Sequence, residues 1–201
     1  MLAKFLVLPF GNPWKLKSLC ISTKNLRLRK LLILLWDTYQ YENNSSIAWN
    51  STFYGEPCFP HGMKSIFVSS GAIVGRNCVI FQQVTIGSNT LVDSKGAGFP
   101  VIGHDCYIGA GAKIIGNVKV GNLVRIGANS VVYKDVPNEC VVTAGEQVTL
   151  PKHKSMDNRF YHSCKGSWMY YQDSQWIAVD DLEIKAILEK KLAKRNRKSI
   201  D

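Results

Sequence analysis

The sequence has no apolar run approaching the ~18 residues that would mark a membrane-spanning helix. Its six cysteines form no CxxC pair, so neither a metal ribbon nor a disulfide framework is expected, and no metal ligand is assigned. Histidine is scarce, at four residues, which limits the candidates for proton transfer near neutrality. Acidic residues are few as well: 15 Asp and Glu against 25 Lys and Arg leave a net charge of +10. No aromatic-basic motif or recognisable nucleic-acid module accompanies that charge, so nucleic acid is excluded as a partner. The opening stretch, MLAKFLVLPFGNPWKLK, has no clear charged n-region and no small-residue cleavage site, and the protein is expected to be cytoplasmic.

What the sequence does have is a six-residue beat. Ile or Val recurs at Val68, Val74, Ile80 and Ile86, and again at Ile102, Ile108, Ile114, Val120, Ile126 and Val132. Four residues after most of these comes a small or slim residue, as at Ala72, Cys78, Cys106, Ala112, Val124 and Ser130. Neither a 3.6-residue helix nor a two-residue alternation produces this period. A short strand followed by a tight corner does, with the aliphatic residue turned inward. Three such sides close a triangular coil of about eighteen residues, and stacked coils make a parallel β-helix. Ala110 is then expected beneath Ala128, and Cys106 beneath Val124.

The beat slips twice. Phe59 to Val68 is nine residues and Ile86 to Ile102 is sixteen, which places one interruption at about 60–65 and an inserted loop at 88–100. Interruptions of a regular scaffold are where function concentrates, and the first contains His61. A weaker ladder at Ile47, Phe53 and Phe59 starts the coils. Three regions follow: an N-terminal helical cap over 1–46, the β-helix over 47–145, and an aromatic-rich segment with a C-terminal helix over 146–201. Residues 26–41 carry a helical stripe suited to covering the open end of the solenoid. A second helix is expected over 181–195. The positive charge gathers at the two ends and suits anionic substrates or the surface of an anionic membrane.

The hexads resemble those of the hexapeptide-repeat acetyltransferases, whose fold is a left-handed parallel β-helix. GAKIIGNVKVGNLVRIGANSVVYKDVP (Gly111–Pro137) is similar to the serine acetyltransferase branch. PHGMKSIFVSSGAIVGRNCVIFQQVTIG (Pro60–Gly87) looks closer to O-acetyltransferases of capsules and other surface polysaccharides. The resemblance implies an all-β fold with short helical extensions, acetyl-CoA as co-substrate, and a homotrimer with sites between subunits. It implies that His61 is the general base on an acceptor hydroxyl, with Glu56 a candidate to orient it. It also implies that Ala110, Ala128, Tyr133 and Lys134 bind coenzyme A. His104, His153 and His162 receive no role.

The serine acetyltransferase pattern is departed from at three places. An acidic residue before the histidine and an Arg-His pair closing the loop are replaced by Pro60, Gly98 and Phe99. A zwitterionic acceptor would lose charged partners there. The expectation is therefore acetyl transfer to a sugar hydroxyl in bacterial surface polysaccharide synthesis, on an acceptor that is saccharide and lipid-linked at the membrane's inner face. The alternatives are a serine O-acetyltransferase of cysteine biosynthesis, or a non-catalytic solenoid scaffold.

Overall fold

The structure, a computed structural model, describes residues 5, 7–91, 93–145, 149–151, 157–164 and 166–192. Two-residue and three-residue strands separated by corners stack into three parallel faces. The first face stacks Ser46–Ile47, Phe67–Val68, Thr85–Gly87, Lys113–Ile115 and Val131–Val132. The second stacks Thr52–Phe53, Ile73–Val74, Val101–Ile102 and Lys119–Val120. The third stacks Val79–Ile80, Tyr107–Ile108, Arg125–Ile126 and Cys140–Val142, and ends in an antiparallel strand, Thr149–Pro151. This is the hexapeptide-repeat fold, resembling a left-handed β-helix with flanking helices.

The register records the two slips. Regular coils pair residues eighteen apart, as Tyr107 beside Arg125 and Lys113 beside Val131. Ser46 pairs with Phe67, so the first slip adds three residues. Thr85 pairs with Lys113, so the loop adds ten. Every aliphatic residue of the beat from Val68 to Val132 is buried. Cys78 and Cys106 are fully buried in the same core, where a thiol serves as a small apolar group. Their sulfurs lie near the carbonyls of Gly103 and Gly121 in the neighbouring coil.

Two helices close the starting end. α1 (Pro13–Ser22) begins with Asn12, whose side chain accepts from the Lys15 N–H at 2.7 Å, and with Pro13 in the first turn. α2 (Leu26–Glu42) begins with Asn25, which accepts from the Arg27 and Leu28 amides. One face of α2 buries Leu32, Trp36 and Gln40. The first strand has an unpaired edge, and these helices satisfy it with side chains. Trp36 Nε1 donates to the Ile47 carbonyl at 2.8 Å, and the Ile47 N–H donates to Gln40 Oε1 at 3.1 Å. Lys17, buried on α1, donates to the Ser51 carbonyl at 2.7 Å and the Trp49 carbonyl at 3.2 Å.

The aromatic-rich segment forms an antiparallel sheet of Tyr161–Cys164, Ser167–Gln172 and Gln175–Ala178. It is followed by α3 (Leu182–Leu192). Phe160 meets Phe81, and Tyr171 donates to the Glu56 carbonyl, so the segment packs on the solenoid. His153 and the basic residues from Lys194 onward lie outside the described residues. Among the described residues, no helix is long and apolar enough to cross a membrane.

Candidate functional site

The three-residue slip carries the chain outward after Phe59. Gly62, at φ 75°, takes a left-handed turn that favours glycine. His61 emerges there, exposed, and lines an open concavity of about 460 Å³ with Lys64, Ser65, Gln82 and Gln83. Its ring stands edge-on to Phe81, with centroids 5.7 Å apart. Among the described residues, the Gln82 Oε1 is buried there without a hydrogen-bond partner. Lys113 reaches the same corner, donating to the Gln83 carbonyl at 2.6 Å.

Phe81 has a second neighbour. With Tyr107 it walls an apolar groove of about 460 Å³ floored by Gly109, Ala110, Gly127 and Ala128. Ala110 and Ala128 thus come together as the eighteen-residue repeat requires. The close stacking leaves no room for larger residues at the corner: a Cβ on Gly109 would sit 2.7 Å from the Ala128 nitrogen. Arg125 stands at the groove's edge and is held back by the C-terminal segment. Its Nε donates to Asn158 Oδ1 at 2.7 Å and its Nη2 to the Asp157 carbonyl at 2.8 Å. Asn158 is itself buried and donates to the Asp105 carbonyl.

Other expected site residues fall elsewhere. Tyr133 and Lys134 follow Val131–Val132, one side of the triangle away from Ala110 and Ala128, with Lys134 Nζ 5.2 Å from the Tyr133 ring centre. Glu56 is not placed to orient His61. Its carboxylate accepts from Asn12 Nδ2, and it lines a separate concavity with Tyr54, Arg76 and Asp173. Burial raises its pKa, against the pull of Asn12 and Lys15. The reason is geometric: a side of the triangle, where Cys58 bridges to Val79 on the third face, lies between Glu56 and His61.

His104 accepts from the Arg76 N–H at a repeat corner, and His162 packs on Trp176. The loop closes on itself, with Asn89 and Gly98 bridged antiparallel. Phe99 lies flat against Gly71, so close that a Cβ there would be 2.4 Å from the ring. Phe81, Lys64, Gln82 and Arg125 were not singled out by the sequence. The available signal was the pair Gln82-Gln83 at a corner following an aromatic residue, directly after a ladder position.

Among families, "Bacterial transferase hexapeptide (six repeats)" matches residues 99–134. A serine acetyltransferase of Synechococcus elongatus is 44% identical over 82 residues, covering 41% of this chain and 32% of that protein. One from Staphylococcus aureus is 39% identical over 93 residues, covering 46% of this chain and 40% of its own. The chain thus spans about a third of the one relative's length and two fifths of the other's. The solved serine acetyltransferase of Brucella abortus superposes with a TM-score of 0.61 at 26% identity, over 72% of this chain and 57% of that one. A serine acetyltransferase solved in complex with CoA gives 0.58 at 25% identity, over 69% and 55%. These relatives overturn the placement beside capsular and other polysaccharide O-acetyltransferases, and with it the expected sugar acceptor. The gaps at Pro60, Gly98 and Phe99 were too slight a basis against similarity that runs through the coils. The β-helix of this chain is similar to that of the serine acetyltransferases.

Proposed function

We propose that the chain is an acetyl-CoA-dependent O-acetyltransferase of the serine acetyltransferase kind, with serine as acceptor and His61 as general base. The observation that carries this reading is Phe81, whose ring touches His61 on one side and walls the Ala110–Ala128 groove on the other. A base and a slot for a thin, extended thioester arm therefore adjoin. The groove fits such an arm because its floor is glycine and alanine and its walls are aromatic. Arg125 at its edge suits a phosphate, as does Lys134 if the arm runs on along the neighbouring face.

His61 takes the proton of the acceptor hydroxyl as the oxygen bonds to the thioester carbonyl carbon. The carbon–sulfur bond then breaks, and the proton passes to the departing thiolate. Holding both substrates in line removes the need for a covalent enzyme intermediate. Pro60, Gly98 and Phe99 give no charge to a zwitterion. Lys64, which shares the His61 concavity, supplies the cation for the acceptor carboxylate instead.

The test is thiol release from acetyl-CoA by the purified protein, with and without serine, beside His61→Ala. Serine-dependent release that falls by about 10²–10⁴-fold in the variant is expected. Release indifferent to serine, or undiminished in the variant, overturns the reading.

A further inference from the structure

The outer face of the helical cap takes no part in that chemistry. α2 turns Leu32, Trp36 and Gln40 inward. On its other side Leu28, Leu31 and Leu34 are 49%, 52% and 61% exposed. Arg27 stands one turn before Leu31 and Lys30 one turn before Leu34, and both are exposed. Side chains three and four apart share a helix face, so cation and hydrocarbon alternate along one surface. Exposed leucines in such a row forfeit the stabilisation of burial, and a contiguous patch of them marks a contact.

Charge selects the occupant. From α1 through α2 the acidic residues are Asp37 and Glu42, against Lys15, Lys24, Arg27, Arg29 and Lys30 besides the buried Lys17. A second copy laid on this face would set that surplus against itself. A flat anionic surface with a hydrocarbon interior satisfies both features at once. α2 has 17 residues, about 25 Å of helix, which suits a helix lying in the plane of an interface.

We propose that the outer face of α2 rests on an anionic lipid surface, with Leu28, Leu31 and Leu34 in the acyl boundary and Arg27 and Lys30 among the phosphates. The proposal is independent of the reaction assigned to His61.

The full chain is tested by sedimentation with vesicles of phosphatidylcholine alone and of phosphatidylcholine with phosphatidylglycerol. Binding to the mixed vesicles only is expected. Leu31→Gln with Leu34→Gln should weaken it at least tenfold, and Arg27→Gln with Lys30→Gln should remove its preference for anionic lipid. These residues are exposed, and an unchanged unfolding midpoint shows that each variant keeps its fold. No binding to either vesicle overturns the proposal. So does binding that survives the leucine changes, which would assign it to the basic C-terminus. Self-association lost in the leucine variant, without vesicle binding, overturns it in favour of a second copy.

Discussion

Among the described residues Lys17 is the buried basic side chain, and burial pulls its pKa from 10.5 down to about 8. Its two carbonyl partners, Trp49 and Ser51, need two N–H groups, which a neutral amine also has. The folded value lies below the unfolded one, so between pH 8 and 10.5 the unfolded chain binds more protons. Stability should therefore rise with pH across that window. Unfolding midpoints measured from pH 7.5 to 10.5 test this, and Lys17→Met should flatten the rise while lowering the midpoint at every pH, because two carbonyls lose their donors. Lys64 allows a kinetic test. If it meets the acceptor carboxylate, Lys64→Ala should raise the KM for serine about tenfold or more with a smaller change in kcat. The cysteines give a third test. Cys164 is exposed while Cys20, Cys58, Cys78, Cys106 and Cys140 are buried. A thiol reagent should label Cys164 alone in the native protein and all six after denaturation.

At the scale of elements, the loop between Ser88 and Pro100 is anchored by the Phe99 ring on Gly71 and by the Asn117 N–H donating to the Gly96 carbonyl. Gly71→Ala would drive a methyl into the Phe99 ring, displacing the loop at a cost of about 1–3 kcal/mol. Phe99→Ala should relieve much of that cost, so the double variant should unfold closer to wild type than additivity allows. The coils and both slips were legible in the sequence because each coil repeats the same local demand, an inward aliphatic residue and a tight corner. α2 was legible from its apolar stripe of Leu28, Leu31, Leu32, Leu35 and Trp36, but its facing was only partly so, since Leu32 and Trp36 turn inward while Leu28 and Leu31 turn outward. α1 was not, because Trp14, Leu16, Lys17 and Cys20 do not read as an apolar stripe when one member is a lysine. The terminal sheet was hidden as well, since Tyr161, Trp168 and Tyr171 show aromatic content but no clean alternation. The position of His61 at the first slip was legible. Its setting was not: which residues share its concavity depends on Phe67 pairing with Thr85, one coil further along. The sugar acceptor was misjudged because three absent charges were weighed above the likeness of the coils to serine acetyltransferases.

For the molecule as a whole, stability is spread along a stack in which each coil supports its neighbours. Ile114 is fully buried mid-stack, and Ile114→Ala should cost about 2–5 kcal/mol in chemical denaturation. The groove at Ala110 and Ala128 is open along one side, which suits completion by another copy. We expect sedimentation velocity to find three times the 22.5 kDa of one chain. The two ends of the stack differ in kind. Trp36 and Gln40 spend their polar atoms on Ile47 at one end, while Thr149–Pro151 runs antiparallel to Cys140–Val142 at the other. A prism of parallel strands is a template on which further chains can crystallise end to end, as fibrils do. Here one end is stoppered by side chains and the other by a reversed strand, so the molecule has a fixed length, and removing the helical stopper would turn it into a seed for fibres.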